Sequence, residues 1–189
     1  MVLQVVPGVR GTGEIYSSAI ADTSSCAKYA PSVEKDVRSV LANGMLLGYP
    51  MMDVAVSWTD GSADKHSTSA AAFEIAARGA MKEACSSAGI ELLEPVMKVN
   101  VKSSVEYKSV IISDLHSRRA SNIAHVTDSG SVTISADVPL ALLFGYVSQL
   151  ASCTHGSAQP TMQYDHYAVV PRNMSSGPGD YLSDIGKRA

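Results

Sequence analysis

The chain lacks most of the features that would announce a function directly. Within its 189 residues no apolar run approaches the ~20 residues needed to span a bilayer. The opening Met1-Val2-Leu3-Gln4-Val5-Val6 is too short and uncharged for a secretory leader, and too poor in arginine for a transit peptide. Only three cysteines occur, Cys26, Cys85 and Cys153, far apart and without a C-x-x-C pair, which suits reduced structural thiols in a reducing compartment. Neither sign of charge dominates. The formal net charge of −3 exerts no global pull on nucleic acid, so any RNA binding must come from local basic patches.

Catalytic signatures are missing as well. Gly8-Val9-Arg10-Gly11-Thr12-Gly13 is glycine-rich, but it lacks G-x-x-x-x-G-K-[ST] spacing and no amphipathic helix follows it directly. A loop or hairpin is the plainer reading. Asp64/His66 and Asp165/His166 lack metal-ligand spacing, and no third ligand is evident. Without a G-x-S-x-G elbow, no Ser–His–Asp triad stands out.

What is present is an ordinary globular pattern, 46% hydrophobic and 17% charged, long enough for two small domains. The second half reads as β-α-β-β-α-β. Residues 92–102 alternate Lys98, Asn100 and Lys102 against Met97, Val99 and Val101, as a half-buried strand does. Ser103 stands three before Glu106, a capping box for a helix carrying Tyr107, Ile111 and Leu115 and ending near Arg118-Arg119, an exposed end suited to cations. Strands follow at 121–127 and 131–138, joined by Asp128-Ser129-Gly130. A helix from Pro139, with Leu140, Leu143, Phe144 and Val147 as its apolar face, and a strand at 159–169 complete the ferredoxin-like order.

The first half is also α/β. Strands are expected at 1–6, 14–20 and 51–58. Pro31 opens a helix striped by Val33, Val37, Val40 and Leu41, with Gly44 as its stop. After the polar loop 60–67, a helix from Thr68 to about Ser87 presents a small-residue face, Ala72, Ala76, Ala80 and Ala84, for packing. The break falls at 86–89. The tail from Arg172 has no periodicity.

Six short motifs in order carry a further reading: Gly48-Tyr49-Pro50, Leu93-Glu94-Pro95-Val96-Met97-Lys98-Val99, Asp114-Leu115-His116-Ser117-Arg118-Arg119, Val138-Pro139-Leu140, Phe144-Gly145-Tyr146 and Asp165-His166-Tyr167. In this order and at these separations the chain resembles, over residues 1–171, the C-terminal part of elongation factor G, the ribosomal translocase. The resemblance implies a two-domain α+β, α/β chain. Residues 1–89 would be a partial arm domain IV (S5-domain-2-like), residues 90–171 a ferredoxin-like βαββαβ domain V, and 172–189 an irregular tail. It also implies that the strands before Met1–Pro7 and the first of two tip loops are missing. The sheet edge left open would suit pairing with another chain or segment.

By the same resemblance, the loop holding Gly61, Ser62, Asp64, Lys65 and His66 is the tip that reaches tRNA and mRNA in the decoding region. The chain retains the family's Gly61, Ser62, Ser69 and Phe73, but has Asp64 and Lys65 where the family has His and Asp. Arg118 and Arg119 close the stretch that matches the family helix lying against ribosomal RNA, paired guanidiniums being suited to phosphates, and Lys102 and Lys108 would extend that basic patch. The implied partner is the ribosome, through RNA of both subunits at the decoding region and the factor-binding centre, with no membrane. GTP and magnesium belong to a separate nucleotide-binding domain, so no cofactor and no catalytic or metal residue is expected in this chain. Two alternatives stay open: a stand-alone relative acting as a structural, assembly or recycling component of an organellar ribosome, and an unrelated enzyme on a ferredoxin-like fold. The expected compartment is a mitochondrial matrix or a bacterial cytoplasm, with the mitochondrial one preferred.

Overall fold

A computed structural model describes residues 1–21, 23–45, 48–63 and 69–171. The chain divides into two compact units, Met1–Ile90 and Glu91–Ala189.

In the first unit, strands β1 (Val2–Pro7), β2 (Glu14–Ser18) and β3 (Val54–Asp60) form a sheet in the order β1-β3-β2. β1 runs antiparallel and β2 parallel to β3. The segment between β1 and β2 must therefore cross the start of β3, since Pro7 and Glu14 both lie opposite Val54. The glycine-rich segment makes that crossing, and Asp53 pins it. Asp53 Oδ1 accepts from the amides of Gly11 and Gly13 at 3.0 Å each, and its carbonyl accepts from Gly8 at 2.6 Å. The loop is an anion nest whose anion is supplied by the chain itself.

Helices α1 (Ala30–Asn43) and α2 (Ala70–Ala88) pack against this sheet and each other. α1 has proline in its first turn and buries Val33, Val37 and Leu41. Gly44 ends it at φ 63°. A Cβ there would sit 1.7 Å from the carbonyl oxygen of Tyr49, so the Gly48-Tyr49-Pro50 return demands glycine at 44. Ser69 caps α2 by accepting from the Ala72 amide. The buried face of α2 is Phe73, Ala77, Met81 and Cys85, one residue on from the alanine stripe expected to pack; Ala72 and Ala76 are exposed. Burying Phe73 and Met81 removes far more apolar surface from water than burying alanines at the same spacing. Phe73 stacks on Tyr29 (centroids 4.7 Å apart) and meets the fully buried Trp58 edge-on at 5.7 Å.

In the second unit, β4 (Leu93–Ser104), β5 (Ser121–Asp128), β6 (Ser131–Pro139) and β7 (Gln159–Val169) form an antiparallel sheet in the order β5-β6-β4-β7. With α3 (Lys108–Ser117) and α4 (Tyr146–Cys153), this is the ferredoxin-like arrangement. The β5–β6 hairpin turns on Ser129 (φ 42°) and Gly130 (φ 89°), the paired positive φ of a two-residue reverse turn. Val99, Val101, Val132, Ile134, Ala136 and Val138 of the sheet meet Ile111, Leu115, Tyr146 and Leu150 of the helices in one core.

Two local expectations fail here. The Ser103–Glu106 capping box does not form: Ser103 is still in β4, buried, with its hydroxyl 3.3 Å from that of Ser157, and a 3-10 turn at Val105–Tyr107 leads into α3. No helix starts at Pro139 either. That proline ends β6, Leu140–Leu142 make a 3-10 turn, and Gly145 at φ 72° restarts the chain as α4. The turn and helix that replace it bury Leu143, Tyr146 and Leu150 and leave Phe144 and Val147 exposed.

Candidate functional site

The expected tip loop follows β3. Trp58 anchors its base: the indole Nε1 donates to the Asp60 carbonyl (2.9 Å), and the Asp60 carboxylate accepts from the Gly61 amide (2.7 Å). Gly61 lies against the indole, where an added Cβ would come within 3.2 Å of the ring. Glycine at 61 thus follows from how closely the chain passes the tryptophan. Ser62 is exposed beyond it. Asp64, Lys65 and His66 lie outside the described residues.

The four cations read from the second half do not gather at one place. Lys102 is exposed on β4, on the alternate positions with Lys98 and Asn100, opposite in phase to the core residues Val99 and Val101. Lys108 opens α3 and Arg118 follows its end, ten residues or about 15 Å away along the helix. Lys108 Nζ lies 2.7 Å from Nε2 of the exposed His125 on β5.

Contrary to the exposed helix end that the sequence predicts, Arg118 is largely enclosed. Its side chain is 13% exposed and that of its partner Asp114 12%, with Nε donating to Asp114 Oδ2 at 3.0 Å. Nη1 donates to the Leu142 carbonyl at 2.5 Å and Nη2 to Gln149 Oε1 at 2.6 Å, while Gln149 Nε2 returns to Asp114 Oδ1 at 3.0 Å. The guanidinium also lies 4.9 Å from the Tyr146 ring centroid. This closed set ties the end of α3 to the turn before α4 and to α4 itself. Arg119, at φ 58°, reaches back to the nearly buried Glu94 at 2.6 Å.

Loss of solvation raises the Tyr146 phenol to about 12; Asp114 raises it further and Arg118 opposes. Its hydroxyl is buried without a hydrogen-bond partner.

These contacts show what several motifs do physically. Leu-Glu-Pro supplies Glu94 to the second arginine of the Arg-Arg pair. The Asp-Leu-His-Ser-Arg run supplies Asp114 and Arg118 at i,i+4. Phe-Gly-Tyr supplies the left-handed glycine and the ring beneath the guanidinium. The Asp114/Arg118 spacing was a usable signal. Gln149 and His125 meet their partners only through the fold, and Glu94, though part of a motif, reaches Arg119 across 25 residues with no local spacing to announce the pair. Asp165-His166-Tyr167 lies within β7, where Asp165 is the extra residue of a bulge opposite Val96–Met97 and its carboxylate lies 2.6 Å from His166 Nδ1. Among the described residues no group of three or more His, Cys, Asp or Glu is placed to hold a metal ion, and no helix is long and apolar enough to cross a membrane.

Residues 1–89 match the family described as elongation factor G, domain IV, and residues 91–177 the family described as elongation factor G C-terminus. The chain belongs to the elongation factor G family. Its similarity to curated elongation factors G is 44% identity for that of Dinoroseobacter shibae, 43% for Paracoccus denitrificans and 42% for Ruegeria pomeroyi, in each case over 92% of this chain. The chain spans only 24% of those relatives' length. A crystal structure of a Thermus thermophilus protein superposes with a TM-score of 0.77 at 27% identity, over 98% of this chain and 27% of that one. The two domains thus correspond to the C-terminal domains IV and V of elongation factor G, an α+β pair.

Proposed function

We propose that the chain is the ribosome-binding C-terminal portion of a translocase-like elongation factor, acting on the ribosome while GTP is bound and hydrolysed elsewhere in such a factor. The observation that carries this reading is that both domains match in order along the chain, at 42–44% identity to complete elongation factors. The motif residues Glu94, Asp114, Arg118, Arg119 and Tyr146 make the ion-pair and ring contacts that brace the second domain.

On this reading the loop after β3, with Gly61, Ser62, Asp64, Lys65 and His66, addresses the decoding region from a base set by Trp58. Lys102 and Lys108 are the second domain's more open cations for ribosomal RNA. Arg118 and Arg119 act chiefly by holding the shape of that surface, with contact to RNA limited to what remains exposed. The relatives are bacterial, which favours a bacterial cytoplasm and lends no support to a mitochondrial preference.

Co-sedimentation of the chain with bacterial ribosomes tests the proposal. The chain should pellet with ribosomes, and its affinity should fall as salt rises, because phosphate contacts release counterions. It should not bind GTP. A chain that stays in the supernatant at low salt would defeat the reading.

A further inference from the structure

At the start of α3, two nitrogen-bearing side chains from different elements meet with no acid between them. Lys108 Nζ stands 2.7 Å from His125 Nε2. An ammonium has three donor hydrogens and no acceptor, so the lysine donates and the ring nitrogen accepts. The imidazole is then neutral, with its proton on Nδ1. Among the described residues neither group enters an ion pair with a carboxylate. α3 has no acidic residue in its first turn, and the register neighbour of His125 on β6 is the apolar Ile134. The contrast with Arg118 and Arg119 is direct: those guanidiniums are paired with carboxylates, whereas among the described residues this ammonium is partnered by the lone pair of a ring.

We infer that Lys108 and His125 form a subsite for one phosphate group of RNA, an inference that rests on the proposed ribosome association and adds His125 to it. When the phosphate arrives, the Lys108–His125 hydrogen bond breaks. The phosphate accepts from Lys108 Nζ and from His125 Nε2–H, the imidazole proton having moved from Nδ1 to Nε2. No proton is gained or lost overall. Two hydrogen bonds to an anion replace one bond between the two side chains, and bonds to an ionised acceptor are the stronger kind. The geometry that makes the pair an odd contact in the free protein makes it a two-donor clamp in the bound one.

Nitrogen-15 NMR of the histidine-labelled full chain reads this tautomer change, with a single-stranded RNA oligonucleotide added in one arm and inorganic phosphate in the other. His125 Nε2 should move from the acceptor to the donor type of shift with RNA. A change with inorganic phosphate alone assigns the site to free anions and overturns the RNA assignment, and unchanged ring nitrogens in both arms overturn the subsite entirely. His125→Gln keeps an acceptor for Lys108 on an exposed strand, so folding is preserved. Lys108→Ala should flatten the salt slope of ribosome association by about 0.7 to 0.9, His125→Gln should weaken association without changing that slope because it removes no charge, and the double variant should lose no more affinity than Lys108→Ala alone. Wild-type chain that fails to pellet with ribosomes defeats the parent proposal, whereas wild-type binding equalled by all three variants defeats only this subsite.

Discussion

Arg118 illustrates how a residue's chemistry and its assignment can part company. Paired arginines after a helix suit phosphates, and an exposed helix end tolerates alanine. But Arg118 satisfies Asp114, Gln149 and the Leu142 carbonyl in a nearly closed environment. Removing it strands a carboxylate and a carbonyl, so Arg118→Ala should cost about 2–4 kcal/mol of stability, read by urea denaturation; a variant within experimental error of wild type would show that the network contributes nothing. Tyr146 gives the converse case. Its hydroxyl is orphaned, so Tyr146→Phe removes a desolvated group without breaking a bond and should leave stability equal or higher. The phenol also makes stability depend on pH. Its folded value, about 12, lies above the ordinary 10, so the neutral form is favoured by folding. That stability is fully present below pH 10 and lost as pH rises toward 12. Alkaline denaturation of Tyr146→Phe should lack this component, and identical alkaline profiles would refute it.

At the level of elements, periodicity was legible wherever one stripe stood out. Val33, Val37 and Leu41 mark the buried side of α1, and the alternation through Val99 and Val101 marks β4. It misled where two stripes competed. In α2, Ala72, Ala76, Ala80 and Ala84 repeat at the same interval as Phe73, Ala77, Met81 and Cys85, and volume decides in favour of the second set. The expected face at Leu140, Leu143, Phe144 and Val147 assumed one continuous helix, whereas Gly145 in a left-handed conformation resets the phase. Ion pairs such as Glu94–Arg119 bridge residues with no sequence periodicity between them, so no local pattern could announce them. The α2 phase can be tested by single additions of volume. Ala77→Leu enters a core with no exposure and should destabilise by about 1–3 kcal/mol, while Ala76→Leu on the exposed side should change thermal stability little. The reverse order would restore the alanine face.

For the whole molecule, family and fold were readable from six motifs in register, several of which are the braces of the second domain and the tight return after α1. The candidate surface was less readable. It depends on which cations the fold leaves open, and the arrangement answers differently for Lys108 than for Arg118. Length sets the scope of any functional statement, since this chain spans 24% of complete relatives such as the Dinoroseobacter shibae factor. The central claim, that these two domains dock where a translocase docks, is tested most directly by competition. Labelled chain bound to bacterial ribosomes is challenged with unlabelled full-length elongation factor G locked on by a non-hydrolysable GTP analogue. The account predicts that the full-length factor displaces the chain in proportion to its own occupancy. Both proteins remaining on the same ribosomes at saturation would contradict it.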